Sequence, residues 1–471
     1  MLMHDSLRKG SNDIVVRRVA LVVSATAAFI GAMNMNAVIV AIPVIGDQLE
    51  MKAVMLVWIT NSVMLVSAIL FIPFGKLADM FGRKKIFLLG FLVNAISGFL
   101  CATAGTGTSL IIYRVVQGVA GAMTLGTSVA LITSVFPIEE RGKALGINAA
   151  ALYMGIASGP SLGGILTQHL GWRSIFYAFG ILCLLVVSLV IWKLKGEWVG
   201  VENDKMDVPG MITVTLSLGC ILGGFTYLPS AFAIVIILLG IAGMAIFVFI
   251  ERRTSFPVLD FEVFKGSRPF IYSNMAIALN YIAMAAITFF ASLYLQYIKG
   301  LTPQTAGFIL LVQPAVITVF AILSGRLSDR IAPQLIASIG MLFTCISMVL
   351  LYTLNPSTGM SFIIFCLALA GLSQGLFTTP NIHAIMSSVD TKYSGAASGI
   401  MATTRGSGMV LGLGTATIAF NHFIGDVQLT PGYYQEFVAS MKLCFLVAAV
   451  AAFLGMLSQY AGRDKKLSVK L

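Results

Sequence analysis

The sequence predicts an all-α membrane protein in which two six-helix bundles are joined by two additional helices. Three observations predict this architecture. Of the 471 residues, 58% are hydrophobic and only 10% are charged, whereas roughly 25% charged is usual in soluble domains. The apolar residues form fourteen runs of membrane length, and patterns of the first six runs recur in the last six. We therefore expect a multi-pass protein of the inner or plasma membrane.

A bilayer core requires about 20 apolar residues per helical span, and the apolar runs match this length. The first run follows Arg17 and Arg18, but it is too long for a secretory signal, and no small-residue cleavage site ends it. The expected spans are 19–45, 54–74, 86–105, 109–135, 143–167, 173–193, 209–227, 231–250, 269–297, 305–325, 333–354, 359–383, 394–420 and 440–461.

These spans divide the chain in the order six, two, six. The expected parts are a tail at 1–18, an N-terminal bundle at 19–193, a linker at 194–268 with the spans 209–227 and 231–250, a C-terminal bundle at 269–461 and a tail at 462–471. The two linker spans have no counterpart in the repeated pattern, so we interpret them as an inserted pair.

The distribution of Lys and Arg predicts the orientation of the spans. If the N-terminus is cytoplasmic, the two tails and the even-numbered connections hold 24 of the 30 basic residues. The other six are Lys52, Arg173, Lys299 and Lys442 on the outside and Arg114 and Arg405 within spans. This bias predicts that both termini are cytoplasmic, and it accounts for the net charge of +11 without a nucleic-acid partner.

A charged hairpin, GKLADMFGRKK at 75–85, connects the second and third spans. Its two glycines are expected to let the backbone turn, and its aspartate and basic residues place charge at the membrane face. An ordinary basic loop is the simpler interpretation, but GRLSDR at 325–330 repeats the glycine, leucine and aspartate 250 residues later. The residues of interest are Gly75, Asp79, Gly82, Arg83, Lys84, Gly325, Asp329 and Arg330.

The fifth span carries a glycine ladder in the string GIASGPSLGG. Gly155, Gly159 and Gly163 lie at four-residue spacing on one helical face, which lets another helix approach closely. A bare G-x-x-x-G is a weak motif, and simple helix packing is the alternative explanation for it. The first two glycines reappear as Gly408 and Gly412, 253 residues later. A parallel repeat of this kind predicts a pathway at the interface of the two halves.

These patterns resemble the Major Facilitator Superfamily. GKLADMFGRKK resembles its signature loop, GIASGPSLGG resembles the antiporter motif of its exporting members, and LIIYRVVQGVAGA in the fourth span resembles a motif linked to proton coupling. Over nearly its whole length, the chain is similar to the fourteen-span drug/proton antiporters. The resemblance implies alternating access, export of amphiphilic compounds with inward proton movement, and hairpins that lock the halves in the outward-facing state.

Particular residues follow from the resemblance and from their depth in the spans. The antiporter-motif helix carries Gly155, Gly159, Pro160, Gly163 and Gly164. The candidates for proton coupling are Arg114, Gln117 and His383. The candidates for lining the substrate cavity are Asn34, Tyr153, Gln313, Gln374 and Arg405.

Charge within the spans bears on the substrate. Arg405 lies about 17 Å into its span, too deep to reach the interface, whereas Arg114 is close enough to an end to snorkel. None of the 19 Asp and Glu residues is expected deep in a span, and Asn34 stands where the related antiporters typically have an aspartate. This inventory favours a neutral or anionic amphiphile, although many members of the family export cations.

Other functional classes fit the sequence less well. A membrane enzyme would need a base positioned near a nucleophile such as Ser158, and no H-E-x-x-H motif or paired intramembrane carboxylate is present. A sensor would need a soluble signalling domain, and a channel would need a charged ring or filter loop. We expect a secondary transporter that acts as a monomer on a small-molecule substrate, with protons and without a cofactor or metal. A carrier of one anionic or neutral metabolite without proton antiport stays the alternative.

Overall fold

A computed structural model describes residues 14–194, 196, 198, 207–254, 268–328, 330–390 and 394–462. Within these ranges the chain is helical, and β pairing is limited to one isolated bridge between Lys52 and Gln428. The long helices are α1 (Ile14–Gln48), α2 (Ala53–Phe81), α3 (Arg83–Ala102), α4 (Gly107–Val135), α5 (Ile138–Leu170), α6 (Arg173–Lys193), α7 (Val208–Phe225), α8 (Ala231–Glu251), α9 (Arg268–Leu293, with a π-helical turn at Tyr294–Ile298), α10 (Pro303–Leu310 and Val312–Ser328), α11 (Pro333–Tyr352), α12 (Met360–Ser387), α13 (Ser394–Phe423) and α14 (Tyr434–Ala461).

Thirteen helices of the described chain are long and apolar enough to cross a membrane. The remaining long helix, α13, has 30 residues, but its many Gly, Ser and Thr residues make it less apolar. It packs against α9, α2 and α14, and its small side chains let these helices approach closely. The all-helical membrane fold predicted from composition is therefore confirmed.

The same helix pairings occur in the first six helices and in the last six. In the N-terminal half (α1–α6), α1 packs on α5, α2 on α4, and α3 on α4 and α6. In the C-terminal half (α9–α14), α9 packs on α13, α10 on α12, and α11 on α12 and α14. Even single hydrogen bonds repeat, because Ser67 Oγ donates to the Gly118 carbonyl at 2.8 Å and Ser324 Oγ donates to the Gly375 carbonyl at 2.7 Å.

The linker pair, α7 and α8, lies against the junction of the two halves. The two helices pack on each other, and α7 also contacts α2 and α13. Leu222 of α7 is buried with Ala68 of α2 and Val410 of α13. Most side chains of α8 face away from the rest of the protein, as expected for a helix at the rim of a membrane protein.

The turn after α2 is shorter than the sequence predicts. A turn at Gly75 is wrong, because α2 continues through this residue to Phe81 and a Cβ atom there would meet nothing within 4 Å. The Gly82 amide donates to the Ala78 carbonyl at 3.1 Å, so the helical pattern of backbone hydrogen bonds continues up to this residue. Gly82 alone turns the chain, with a φ of 110° that favours glycine.

Candidate functional site

The two halves meet at the end of the molecule where the α1–α2 and α13–α14 turns lie, which we name the closed side. Helices α1 and α9 form its centre. Gln296 Nε2 donates to the Val40 carbonyl at 2.9 Å, and the Tyr297 hydroxyl donates to the Asp47 carboxylate at 3.1 Å. These bonds join the C-terminal ends of the first helix of each half.

Loop contacts reinforce the closed side. The Lys52 ammonium forms an ion pair with the Asp426 carboxylate, although their side chains are 48% and 78% exposed. Beside it, the Ala53 amide donates to the Val427 carbonyl at 2.9 Å. Two connections that are more than 370 residues apart in sequence are thus held together by one exposed ion pair and a short piece of β pairing.

Helices α5 and α10 join the halves through backbone contacts. A Cβ atom at Gly164 would lie 2.4 Å from the Pro303 carbonyl oxygen, and one at Gly307 would lie 2.3 Å from the Pro160 carbonyl oxygen. Because no side chain fits at either glycine without movement, the two helices touch directly. The antiporter-motif helix therefore forms part of the interface between the halves.

The glycine ladder of α5 packs against α1 within the N-terminal half. A Cβ atom would lie 2.3 Å from the Phe29 carbonyl oxygen at Gly155, 2.8 Å from the Met33 carbonyl oxygen at Gly159, and 2.5 Å from the Ala37 Cα at Gly163. Such approaches are below any ordinary contact distance, so side chains are excluded along this face.

The repeat of this ladder packs in the same way in the C-terminal half. A Cβ atom at Gly408 would lie 2.6 Å from the Ala278 carbonyl oxygen, and one at Gly412 would lie 2.5 Å from the Ile282 carbonyl oxygen. Helix α13 therefore crosses α9 as α5 crosses α1. The sequence repeat corresponds to a repeated backbone crossing.

Three polar side chains from both halves converge next to these crossings. The Arg405 guanidinium lies over the Tyr281 ring, 4.8 Å from its centre, and Arg405 is partly accessible. Tyr153 of α5 is near enough to both for electrostatic interaction. We name Tyr153, Tyr281 and Arg405 the central cluster. A cation held against an aromatic face retains donors for an acceptor group of a substrate.

Arg114 and Gln117 form a separate pair inside the N-terminal half. Arg114 is only 1% exposed, so snorkelling to the interface does not explain it. Its Nε donates to the Ile59 carbonyl at 2.8 Å, and one terminal nitrogen donates to Gln117 Oε1 at 2.5 Å. The other terminal nitrogen has no hydrogen-bond partner in the described part of the chain. A buried cation without a carboxylate is costly and is typical of functional sites in membranes.

Comparisons with known proteins identify this arrangement. The model of the Major Facilitator Superfamily matches residues 24–205 and 208–413, which is most of the chain. The chain belongs to this superfamily. A bacterial homologue of the human lysosomal transporter Spinster, in an inward-facing and unoccupied conformation, has the same fold, with a TM-score of 0.71, 16% identity and coverage of 96% of this chain and 100% of that one.

Among the relatives of this facilitator protein is the riboflavin transporter RibZ of Clostridioides difficile (strain 630), which is 28% identical over 447 residues, 93% of this chain and 96% of the relative. The multidrug efflux pump LfrA of Mycolicibacterium smegmatis is 29% identical over 453 residues, 92% of this chain and 87% of the relative. The chain is therefore a multi-pass transporter of the cell membrane with small-molecule substrates, and it is not an enzyme.

Four of the other expected site residues lie away from the central cluster. Asn34 lines a cavity between α1, α5 and α6. Gln313 is buried between helices of the C-terminal half and accepts a hydrogen bond from Thr288 at 3.5 Å, and Gln374 is buried on α12. His383 is exposed near the end of α12, in the other half from Arg114 and Gln117. The structure thus separates the residues that the sequence grouped by depth.

The first hairpin of this facilitator fold is tied to its own half. Arg83 Nε donates to the Asp79 carboxylate at 2.8 Å, and a terminal nitrogen donates to the Ala130 carbonyl at 3.0 Å and also to the Ser134 hydroxyl. Lys84 follows on the same turn and is partly exposed. Arg83 therefore connects the α2–α3 turn to the end of α4.

The second hairpin is described only in part. Asp329 lies outside the described residues. Gly325 is in α10, where a Cβ atom would lie 3.2 Å from Thr379 Cγ2 of α12. Arg330 is exposed just beyond the end of α10. Its role as a lock stays a prediction.

Sequence reasoning missed most residues that join the halves. Tyr281 was indistinguishable from other aromatic residues of an apolar helix, and Gln296 lies in the last turn before a loop. Lys52 offered a signal, because it is one of few basic residues on the side that is poor in positive charge. Its partner Asp426 offered none, since nothing in a sequence pairs residues 374 positions apart.

Proposed function

We propose that this protein is a secondary active exporter of amphiphilic small molecules that works by alternating access. The carrying observation is that the contacts within each half are separate from the contacts between the halves. Glycine crossings such as Gly155 on Phe29 fix helices inside each half, whereas the halves meet through the crossing of Gly164 on Pro303, a few hydrogen bonds and the exposed Lys52–Asp426 ion pair. An exposed pair contributes about 0–1 kcal/mol and a hydrogen bond about 0.5–1.5 kcal/mol. The closed side can therefore open while each half stays intact.

The proposal includes the division of the chain and its orientation. The bundles 19–193 and 269–461 would rock about the central cluster, with the linker pair resting on α2 and α13. The closed side holds few basic residues, so the positive-inside rule supports its placement outside the cell with both termini in the cytoplasm. The central cluster would then be reached from the cytoplasm, as export requires.

Proton antiport is the energy source that we propose. The resemblance of α5 to the antiporter motif supports it, and Pro160 and Gly164 of this helix touch the half that would move against it. Arg114 with Gln117, and separately His383, are the candidates that would respond to a proton. Arginine keeps its charge at all relevant pH values, so Arg114 would act by its field on neighbouring groups rather than by titrating.

A second candidate function is transport of one neutral or anionic metabolite. Arg405 favours it, because a guanidinium beside the substrate path attracts an anion and repels a cation. The similarity to a riboflavin transporter is compatible with this candidate, and the similarity to efflux pumps is compatible with the first.

Proteoliposomes with an internal pH dye test both functions. We expect an imposed proton gradient to drive an amphiphile across the membrane, with proton movement in the opposite direction. Ethidium and riboflavin serve as cationic and uncharged probes, and liposomes without protein serve as the control. Riboflavin transport without ethidium transport or dye response supports the metabolite carrier. No gradient-dependent movement of any amphiphile would contradict the export proposal.

A further inference from the structure

A cavity of about 240 Å³ lies inside the N-terminal half, between α1, α5 and α6. Eight of its nine lining side chains are apolar, among them Met33, Leu162, Ala178 and Leu182. Asn34 supplies the one polar side chain. The cavity therefore combines an apolar wall with a single polar point.

The cavity is separate from the path between the halves. Gly163 of α5 faces α1 and Gly164 faces α10 of the other half. Successive helical residues are rotated by about 100°, so Leu162 points to the side of α5 opposite Gly164. Leu162 is 40% exposed on this outer side. The cavity consequently opens sideways, toward the lipid that surrounds the N-terminal half.

Asn34 has an unused acceptor in the wall of the cavity, which a rotation of its side-chain amide would turn toward a bound molecule. The residue is 5% exposed, and its Oδ1 has no hydrogen-bond partner among the residues that the structure describes. An unsatisfied buried acceptor costs about 1–3 kcal/mol, which a donor from a bound molecule would recover.

The size of the cavity limits its occupant. An apolar cavity of about 150 Å³ binds benzene, and sites for drug-sized ligands span about 300–1,000 Å³. A cavity of about 240 Å³ lies between these limits and suits a molecule of one or two fused rings.

We propose that this cavity binds a small aromatic molecule with a single hydrogen-bond donor, of the indole or phenol class, which enters from the lipid and donates to Asn34 Oδ1. The site goes beyond the proposed transport function, because it lies within one half and needs no movement of the halves. Binding and transport can therefore fail independently.

Indole and indene provide a matched pair of probes, since indene has the same two rings but a CH₂ group in place of the N–H donor. Binding to the full-length protein in lipid nanodiscs is measured by saturation-transfer NMR, with empty nanodiscs subtracted. We expect indole to bind the unmodified protein about tenfold more tightly than indene, the equivalent of one hydrogen bond. Asn34→Leu should remove this preference and leave indene binding unchanged.

Two further variants test the location. Ala178→Phe should fill the cavity and abolish specific binding of both probes. Leu184→Phe is the control, because Leu184 lies on the same helix, is exposed and does not line the cavity. Thermal unfolding verifies that each variant is folded. Equal binding of indole and indene to the unmodified protein would overturn the proposal, and so would indole binding that a folded Ala178→Phe or Asn34→Leu variant retains in full.

Discussion

Replacement of Gly159 tests whether the backbone of α5 is the packing surface that holds the N-terminal half together. A Cβ atom at this position would lie 2.7 Å from Asn36 Cβ and 2.8 Å from the Met33 carbonyl oxygen. Neither atom belongs to the free end of a flexible side chain, so the substitution cannot be accommodated by a rotamer change. The helices themselves must separate.

The required displacement sets the expected cost. Carbon atoms are in favourable contact at about 3.5–4.0 Å, so an alanine at 159 requires a shift of about 1 Å between α1 and α5. Overpacking of this size costs about 1–3 kcal/mol. A leucine adds three further carbon atoms at the same crossing, and we expect Gly159→Leu to abolish transport.

Gly146 provides a matched control on the same helix, because a Cβ atom there would meet nothing within 4 Å. We expect Gly159→Ala to lower the thermal unfolding temperature of the purified protein, and Gly146→Ala to leave it unchanged or raise it, since alanine favours helix by up to about 1 kcal/mol. Transport is then measured in proteoliposomes with equal amounts of folded protein. Normal transport by Gly159→Leu would refute the assignment of this face as an interface.

Three further predictions concern charges. Asp79→Asn should slow transport several-fold at normal expression, because Arg83 loses a partly buried partner worth about 1 kcal/mol. Initial transport rates in proteoliposomes measure this effect. Unchanged rates would exclude a role of this hairpin as a conformational lock. Asp426→Asn should shift the equilibrium toward opening of the closed side by at most about fivefold, because it removes the exposed ion pair with Lys52. Opening should then no longer depend on salt concentration, which spin-label distances across the closed side measure. An equal salt response of the variant and the unmodified protein would contradict this. Arg405→Ala should weaken binding of an anionic substrate by about 2 kcal/mol, roughly 30-fold, and spare a neutral one; ethidium export unaffected by this change would refute the preference.

The fold was predictable from the sequence because membrane helices must be long, apolar and internally hydrogen-bonded. The repeat was predictable because a backbone crossing demands glycine at fixed spacing, as Gly155 and Gly408 show. The turn at Gly75 was mispredicted because glycine permits a turn without requiring one. Only a backbone angle such as that of Gly82, φ 110°, distinguishes the two cases.

The position of a candidate residue was predictable only where its depth in the membrane decides whether it lies in the interior or at a surface. Arg405 lies too deep to reach either surface, and it is found against an aromatic ring in the interior. Depth gives no direction around the helix axis, so Tyr153 and Asn34 received the same expectation. Tyr153 belongs to the central cluster, whereas Asn34 lines a cavity on another side of the N-terminal half.

The glycine ladder of α5 and its repeat in α13 also differ at two positions of the string that resembles the antiporter motif. Their crossings within each half are equivalent, but Pro160 and Gly164 correspond to Leu413 and Thr417 at the same offset. The backbone of Pro160 and Gly164 touches α10, with the Pro303 carbonyl oxygen 2.4 Å from a Cβ atom at Gly164. The ladder glycines of α5 therefore hold the N-terminal half together, and Gly408 and Gly412 do the same in the C-terminal half. Pro160 and Gly164 place backbone against backbone between the halves, so movement of one half against the other must change the contacts at these positions.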